Sequence, residues 1–267
     1  MTQCKTKYDG YALITGGSSG IGLAFAKQLA EQGYNLVLVA RKQEELKKAQ
    51  IDIKTQYSVD VVTISEDLSN PESTDNIYNQ LQMNNIQIGL LVNNAGFGKA
   101  NHFEKIDRAY QQSMIRVMCS SYTDLTFKFL PSMLKKKSGG IIFLSSSAAL
   151  SALPFFSVYG AAKAFVLQFG RSLNVEVKRK GIDVLTVCPS PVNTNFYPPG
   201  VPHPPGKSFM PDEIAQRSIK ALGKKSVLLI NSPKVRFLLF LTKFLPSKWI
   251  DAIAYNYMQG YLEKDNR

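Results

Sequence analysis

Apolar runs of strand length alternate with helical stretches along almost the whole chain, and that alternation limits the fold more than any other feature. Tyr11-Ala12-Leu13-Ile14, residues 35–40, 59–65, 88–92, 141–144, 182–187 and 226–230 read as strands. Helices are predicted over residues 23–30, 43–57, from Pro71, over about 107–137 and 157–179, and over 211–222. Gly33, the Gly139-Gly140 pair and Gly181 stand where those helices should end. Strands that are apolar on both faces belong in a parallel sheet covered on both sides. The pattern therefore predicts an α/β fold: a doubly wound, mostly parallel seven-stranded sheet with helices on both faces. No linker or low-complexity stretch divides it. One catalytic domain is expected over 1–232, with a C-terminal amphipathic helical extension of the same domain over 233–267.

Hydrophobic residues make up 45% of the chain and charged residues 19%, enough for a sizeable core and unlike a disordered chain. The net charge of +12, from 32 Lys and Arg against 20 Asp and Glu, favours anionic partners, although a plain basic surface has the same composition. No basic motif interleaved with aromatics is present, which argues against nucleic acid. Cys4, Cys119 and Cys188 form neither a disulfide framework nor a metal signature, and His102 and His203 are too few for zinc, so no metal is expected. The polar first ten residues leave no room for a signal peptide, and residues 141–162 lack charge but contain a serine cluster and Pro154, unlike a membrane span. These features predict a cytoplasmic protein.

The first strand runs into Thr15-Gly16-Gly17-Ser18-Ser19-Gly20-Ile21-Gly22, and a helical pattern follows. A strand, a glycine turn and a helix aim free N–H groups and the positive end of a helix dipole at an anion. The second strand ends in Arg41, nineteen residues after Gly22, where an acidic residue would favour NAD and an arginine favours the extra phosphate of NADP. The third strand ends in Asp67-Leu68, a carboxylate for an adenine amino group or a plain surface turn. Asn93-Asn94-Ala95-Gly96 ends the fourth strand and suits backbone bracing and ribose contact, or an ordinary turn. Ser145-Ser146-Ser147 follows the fifth strand. Tyr159 and Lys163 are spaced i, i+4, on one helix face, so the ammonium is expected to lower the pKa of the phenol and let it exchange a proton near neutral pH.

In combination these motifs closely resemble the short-chain dehydrogenase/reductase family, over about residues 10–230. The resemblance implies a Rossmann fold, an NADP(H) cofactor, and interconversion of a carbonyl and a secondary alcohol, with reduction of an apolar ketone favoured. TGGSSGIG matches the family's cofactor turn, NNAG its structural motif, and Tyr159 to Lys163 its Y-x-x-x-K pair. Ser146, thirteen residues before Tyr159, matches the catalytic serine better than its neighbours. By resemblance, the cofactor lies against Gly16, Ser18, Ser19, Gly20, Ile21, Gly22, Arg41, Asp67, Leu68, Asn94, Ala95, Gly96, Tyr159, Lys163, Pro189, Val192 and Thr194. Tyr159 is then the acid or base, Lys163 tunes it and holds the nicotinamide ribose, and Ser146 orients the carbonyl. Three positions depart from the family pattern. Met118 stands where many members have an asparagine that supports a water relay, Ser190 replaces a glycine, and Ser19 replaces a base found in some NADP-preferring members. Arg41, helped by Lys42, is expected to hold the phosphate instead.

The proline-rich stretch 189–207 is too long for a plain connection and is read as a substrate lid. Residues 233–257 combine an apolar run of about eleven residues, too short to span a bilayer, with Lys234, Arg236, Lys243, Lys248 and aromatics. That suits a peripheral membrane contact, a pocket cover or a dimer surface, and it resembles the tail of members acting on acyl chains or steroids. The resemblance also implies a homo-oligomer, dimer or tetramer, through the helices near 107–137 and 157–179. The alternative reading is a protein of the same fold that senses a nucleotide or binds a membrane surface with weak or lost catalysis.

Overall fold

The computed structural model describes residues 7–194, 196, 208–231 and 245–265. The strands are β1 (Tyr11–Thr15), β2 (Leu36–Ala40), β3 (Val61–Ser65), β4 (Ile88–Asn93), β5 (Gly139–Leu144), β6 (Ile182–Pro189) and β7 (Val227–Ile230). They form one sheet in the order β3-β2-β1-β4-β5-β6-β7, and every adjacent pair is parallel. The order reverses between β1 and β4. Connections leave those two strands in opposite directions, which opens a crevice at their carboxyl ends.

Period-two alternation sorts each strand's side chains between two cores. Ala12 and Ile14 of β1, with Leu36 and Leu38 of β2, face a core built with α1 (Gly20–Glu31), α2 (Gln43–Gln56) and α7 (Pro211–Ala221). Leu13, Val37 and Val39 face the other core, with α3 (Ser73–Met83), α5 (Ser121–Lys136) and α6 (Ser157–Val177). Both faces are buried, as the uninterrupted apolar runs predict. A last helix, α8 (Ser247–Asp265), stands outside the layers, and only Met258 among its described side chains is buried.

Three boundaries differ from expectation. Gly139-Gly140 does not end the preceding helix. Both glycines lie inside β5, where an added Cβ would meet Met133 or Tyr8 at 2.7 Å, so their role is close approach rather than capping. Lys137, at φ +51°, makes the turn instead. The third helix begins at Ser73, past Pro71. The long fourth helix is broken: α4 (Arg108–Ile115) joins α5 through a π-helical turn, Arg116–Ser120, that contains Met118. Such bulges recur at functional sites. Most of the expected lid (195 and 197–207) and most of the apolar run of the tail (232–244) lie outside the described residues.

Candidate active site

The glycine turn is held from below by β4. Thr15 Oγ1 accepts from the backbone N–H groups of Asn94 at 2.9 Å and Ala95 at 3.0 Å. Asn94 Nδ2 donates to the carbonyls of Thr15 at 2.8 Å and Gly16 at 3.4 Å. Asn94 therefore spends its amide on bracing the turn. Gly22 is obligatory here, because a Cβ would overlap the Gly16 carbonyl and lie 2.7 Å from Asn94 Nδ2. Ser19 precedes α1 in extended conformation with no side-chain cap, and the first turn carries no acid. The leading N–H groups of α1 thus face the crevice with the positive end of the dipole behind them. Thr194 closes the cradle from above, 3.3 Å from where a Gly20 Cβ would be.

Arg41 is exposed at the end of β2, and its guanidinium makes no hydrogen bond or ion pair among the described residues. The neighbouring Lys42 ammonium pairs on the surface with Glu45 at 2.8 Å, and Ser18 donates to the same carboxylate at 3.4 Å. Asp67 is partly committed to a turn, accepting from Ser69 N–H at 2.9 Å, while Leu68 is buried. An uncapped dipole, a glycine cradle and a free cation at the selector position fit a dinucleotide with a 2′-phosphate.

Ser146 leads a short 3₁₀ turn, Ser147–Ala149, and its hydroxyl accepts from Ala148 N–H at 3.1 Å. The Ser146 side chain lies beside the Tyr159 phenol of α6 and favours its ionised form. Lys163, one turn further along α6, is buried, lies 5.7 Å from the Tyr159 ring centre, and donates to the Leu144 carbonyl at 2.7 Å. The structure therefore brings Ser146, Tyr159 and Lys163 together, as their spacing predicts. It does not bear out the expected lowering of the phenol. Burial pushes Tyr159 up to about 12, partly offset by Ser146. Burial likewise pulls Lys163 down to about 8. Desolvation outweighs the pairing because both groups leave water together.

The sign of the lysine shift has a consequence for stability. Between about 8 and the ordinary 10.5 the unfolded chain carries a proton that the folded chain lacks, so this group makes stability rise with pH across that window. Below it, the buried charge costs at most about 3 kcal/mol. Lys163→Met should abolish turnover, raise the melting temperature at pH 7, and remove that part of the slope. Melting curves of both proteins from pH 7 to 10 check this; parallel curves would show that the lysine is not destabilised by burial.

Met118 reaches the same spot. Its Sδ and the Lys163 ammonium lie 3.2 and 3.4 Å from where a Gly96 Cβ would be. The thioether fills the place of an amide with a group that donates no proton. Beneath the lysine, the fully buried Tyr122 donates to the Ala95 carbonyl at 2.9 Å. Met118→Asn is expected to maintain or raise turnover while lowering stability by about 1–3 kcal/mol, which initial rates and thermal melts will separate.

Sequence reasoning missed several supporting groups. Tyr122 has no signature beyond its place in the helix. The Cys188 thiol is raised by burial, and Ser145 Oγ donates to the Lys163 carbonyl at 2.7 Å. This buried bond joins the serine loop to the lysine. Ser190 is explained too. It does not adopt positive φ, and its hydroxyl donates to Asn231 Oδ1 at 2.6 Å, tying β6 to β7. Pro189 ends β6, and Val192 bridges to Phe209.

Residues 10–200 match the sequence profile described as short chain dehydrogenase. The chain belongs to the short-chain dehydrogenase family. It is 35% identical over 193 residues to the very-long-chain 3-oxoacyl-CoA reductase of Rattus norvegicus, covering 70% of this chain and 60% of that one. The chain thus spans about three fifths of that relative's length. Among solved structures, a short-chain dehydrogenase from Sphingobium yanoikuyae in complex with NADPH is 27% identical, with a TM-score of 0.77 over 95% of each chain. A 7β-hydroxysteroid dehydrogenase, 21% identical, shares the fold at a TM-score of 0.83 over 96% of this chain and 97% of that one. For this short-chain dehydrogenase, the observed sheet order and the glycine cradle at the switch point are the family's frame.

Proposed function

We propose that this short-chain dehydrogenase is an NADP(H)-dependent reductase of an apolar ketone, the 3-oxo group of a long acyl thioester being the best fit. The observation that carries the proposal is the grouping of Ser146, the Tyr159 phenol and the buried Lys163 ammonium, which lies 5.7 Å from the Tyr159 ring centre. The cofactor, when bound, supplies a hydride to the carbonyl carbon. Tyr159, protonated near neutral pH, gives its proton to the carbonyl oxygen as charge develops there. Ser146 donates a second hydrogen bond to the same oxygen and holds it in place. Lys163 keeps a positive charge near that oxygen below about pH 8 and loses it above, so reduction slows as pH rises through 8.

The walls beside Tyr159 support an apolar substrate: Phe103, Ile106, Met114, Phe155 and Phe156 line one crevice with Lys99 at its side. The relatives named 3-oxoacyl-CoA reductases support the acyl class. The test is NADPH oxidation with 3-oxoacyl thioesters of increasing length and with ketosteroids. Turnover of steroids alone would replace the acyl assignment, and turnover of neither would favour a binding protein.

Two further parts of the reading rest on exposed apolar side chains. Phe127 and Val175 are 77% and 78% exposed on α5 and α6, which supports a homo-oligomer packed through those helices. Trp249 and Ile253 are exposed on α8, and no helix among the described residues is long and apolar enough to cross a membrane. The exposed pair supports peripheral membrane contact through this part of the chain.

A further inference from the structure

Three non-glycine residues among those described have positive φ: Asn85, Lys137 and Phe155. Asn85 and Lys137 close the ends of helices, where such turns are ordinary. Phe155, at φ +64°, closes no helix, and a bulky residue rarely adopts that conformation. Its surroundings hold it there. The Phe155 carbonyl accepts from Asn101 N–H at 3.0 Å. Its ring meets His102 edge-on at 5.1 Å and the Tyr255 ring of α8 at 5.3 Å. The next residue serves a different set of partners: Phe156 meets the Tyr159 ring edge-on at 5.8 Å and packs with Met258 of α8. One strained residue thus joins the loop after β4, the loop before α6, and α8, at the crevice beside the reacting phenol.

That crevice is narrow. It encloses about 220 Å³ of space, open solvent included, below the usual range for a ligand pocket. Phe196 packs on the other side of Tyr159 at 5.6 Å. A short acyl group needs only the space next to Tyr159. Phe155 lines this crevice and also touches Tyr255 of α8, so its ring stands between the crevice and that helix.

We propose that Phe155 is a specificity-determining residue: its ring latches α8 through Tyr255 and so sets the length of the acyl chain that the crevice admits. The proposal rests on the acyl-reductase reading above. The left-handed backbone turns Phe155 toward α8 while Phe156 stays on Tyr159, so the latch can release without disturbing the packing on the phenol.

Phe155→Gly preserves the left-handed turn and removes only the ring. It should raise the ratio of kcat/KM for a sixteen-carbon 3-oxoacyl thioester to that for the four-carbon one about tenfold. Tyr255→Ala should give the same change from the other side of the contact. Trp249, the single tryptophan of the chain, sits on α8 and reports the latch without any turnover. Both variants should lower its fluorescence anisotropy. An unchanged chain-length ratio in both variants, or an equal fall for every length, overturns the specificity role; unchanged anisotropy in both overturns the latch. A wild-type protein inactive on every 3-oxoacyl thioester refutes the acyl reading instead, and the anisotropy result then still decides whether Phe155 holds α8.

Discussion

Tyr159→Phe should lower turnover about a thousandfold, within the range typical of losing a positioned general acid. The substitution removes one oxygen and leaves the ring, which packs against Phe156, Phe196 and the backbone at Gly98. The Ser146 hydroxyl still accepts from Ala148 N–H. Folding and NADPH binding should therefore be unchanged, and the loss should fall on kcat rather than KM. Single-turnover rates, a thermal melt and a cofactor titration on the same preparation test this. A variant retaining a tenth of the activity would mean that some other group delivers the proton, with the Lys163 ammonium the nearest candidate.

The second large effect is expected at the cofactor selector. Arg41→Asp should weaken NADPH binding about a hundredfold while NADH binding holds or improves, since a charge-assisted contact is lost and a repulsive charge gained. Arg41 carries this because it is the uncommitted cation at the end of β2. Lys42 already spans to Glu45 at 2.8 Å, and that carboxylate also holds Ser18. The new aspartate would stand where an acid accepts from a ribose hydroxyl, so the preference should reverse rather than merely fade. Dissociation constants for the two cofactors measure this without turnover. Unchanged NADPH affinity would sink the assignment and move the phosphate elsewhere in the cradle.

Much of this architecture could be read from the chain. The strands at 35–40 and 182–187 were legible because a strand buried on both faces has no polar alternation to confuse it. The Tyr159 and Lys163 pair was legible because i, i+4 spacing is local, whereas Ser146 was picked out from its neighbours only by resemblance to the family. The Gly139-Gly140 pair misled for a physical reason: glycine serves both a helix end and a close approach, and only Tyr8 and Met133, brought in from elsewhere, distinguish them. Phe155 could not be singled out from the sequence, since positive φ leaves no mark on an aromatic residue's sequence context.

By itself, the sequence determined the order of strands and helices, the glycine turn and the one-face placement of Tyr159 and Lys163, which follow from short-range rules of spacing, turn chemistry and backbone geometry; the proposed roles of Arg41 and Ser146 rest in addition on resemblance to the family. Only the tertiary structure decided the protonation of that set, and it reversed the expectation for Tyr159. Spacing places an ammonium near a phenol, but the removal of both from water sets their pKa values. Only the tertiary structure, too, set α8 against the crevice through Tyr255 and Met258. Burial and long-range contact come from segments far apart in the chain, so no local pattern encodes them.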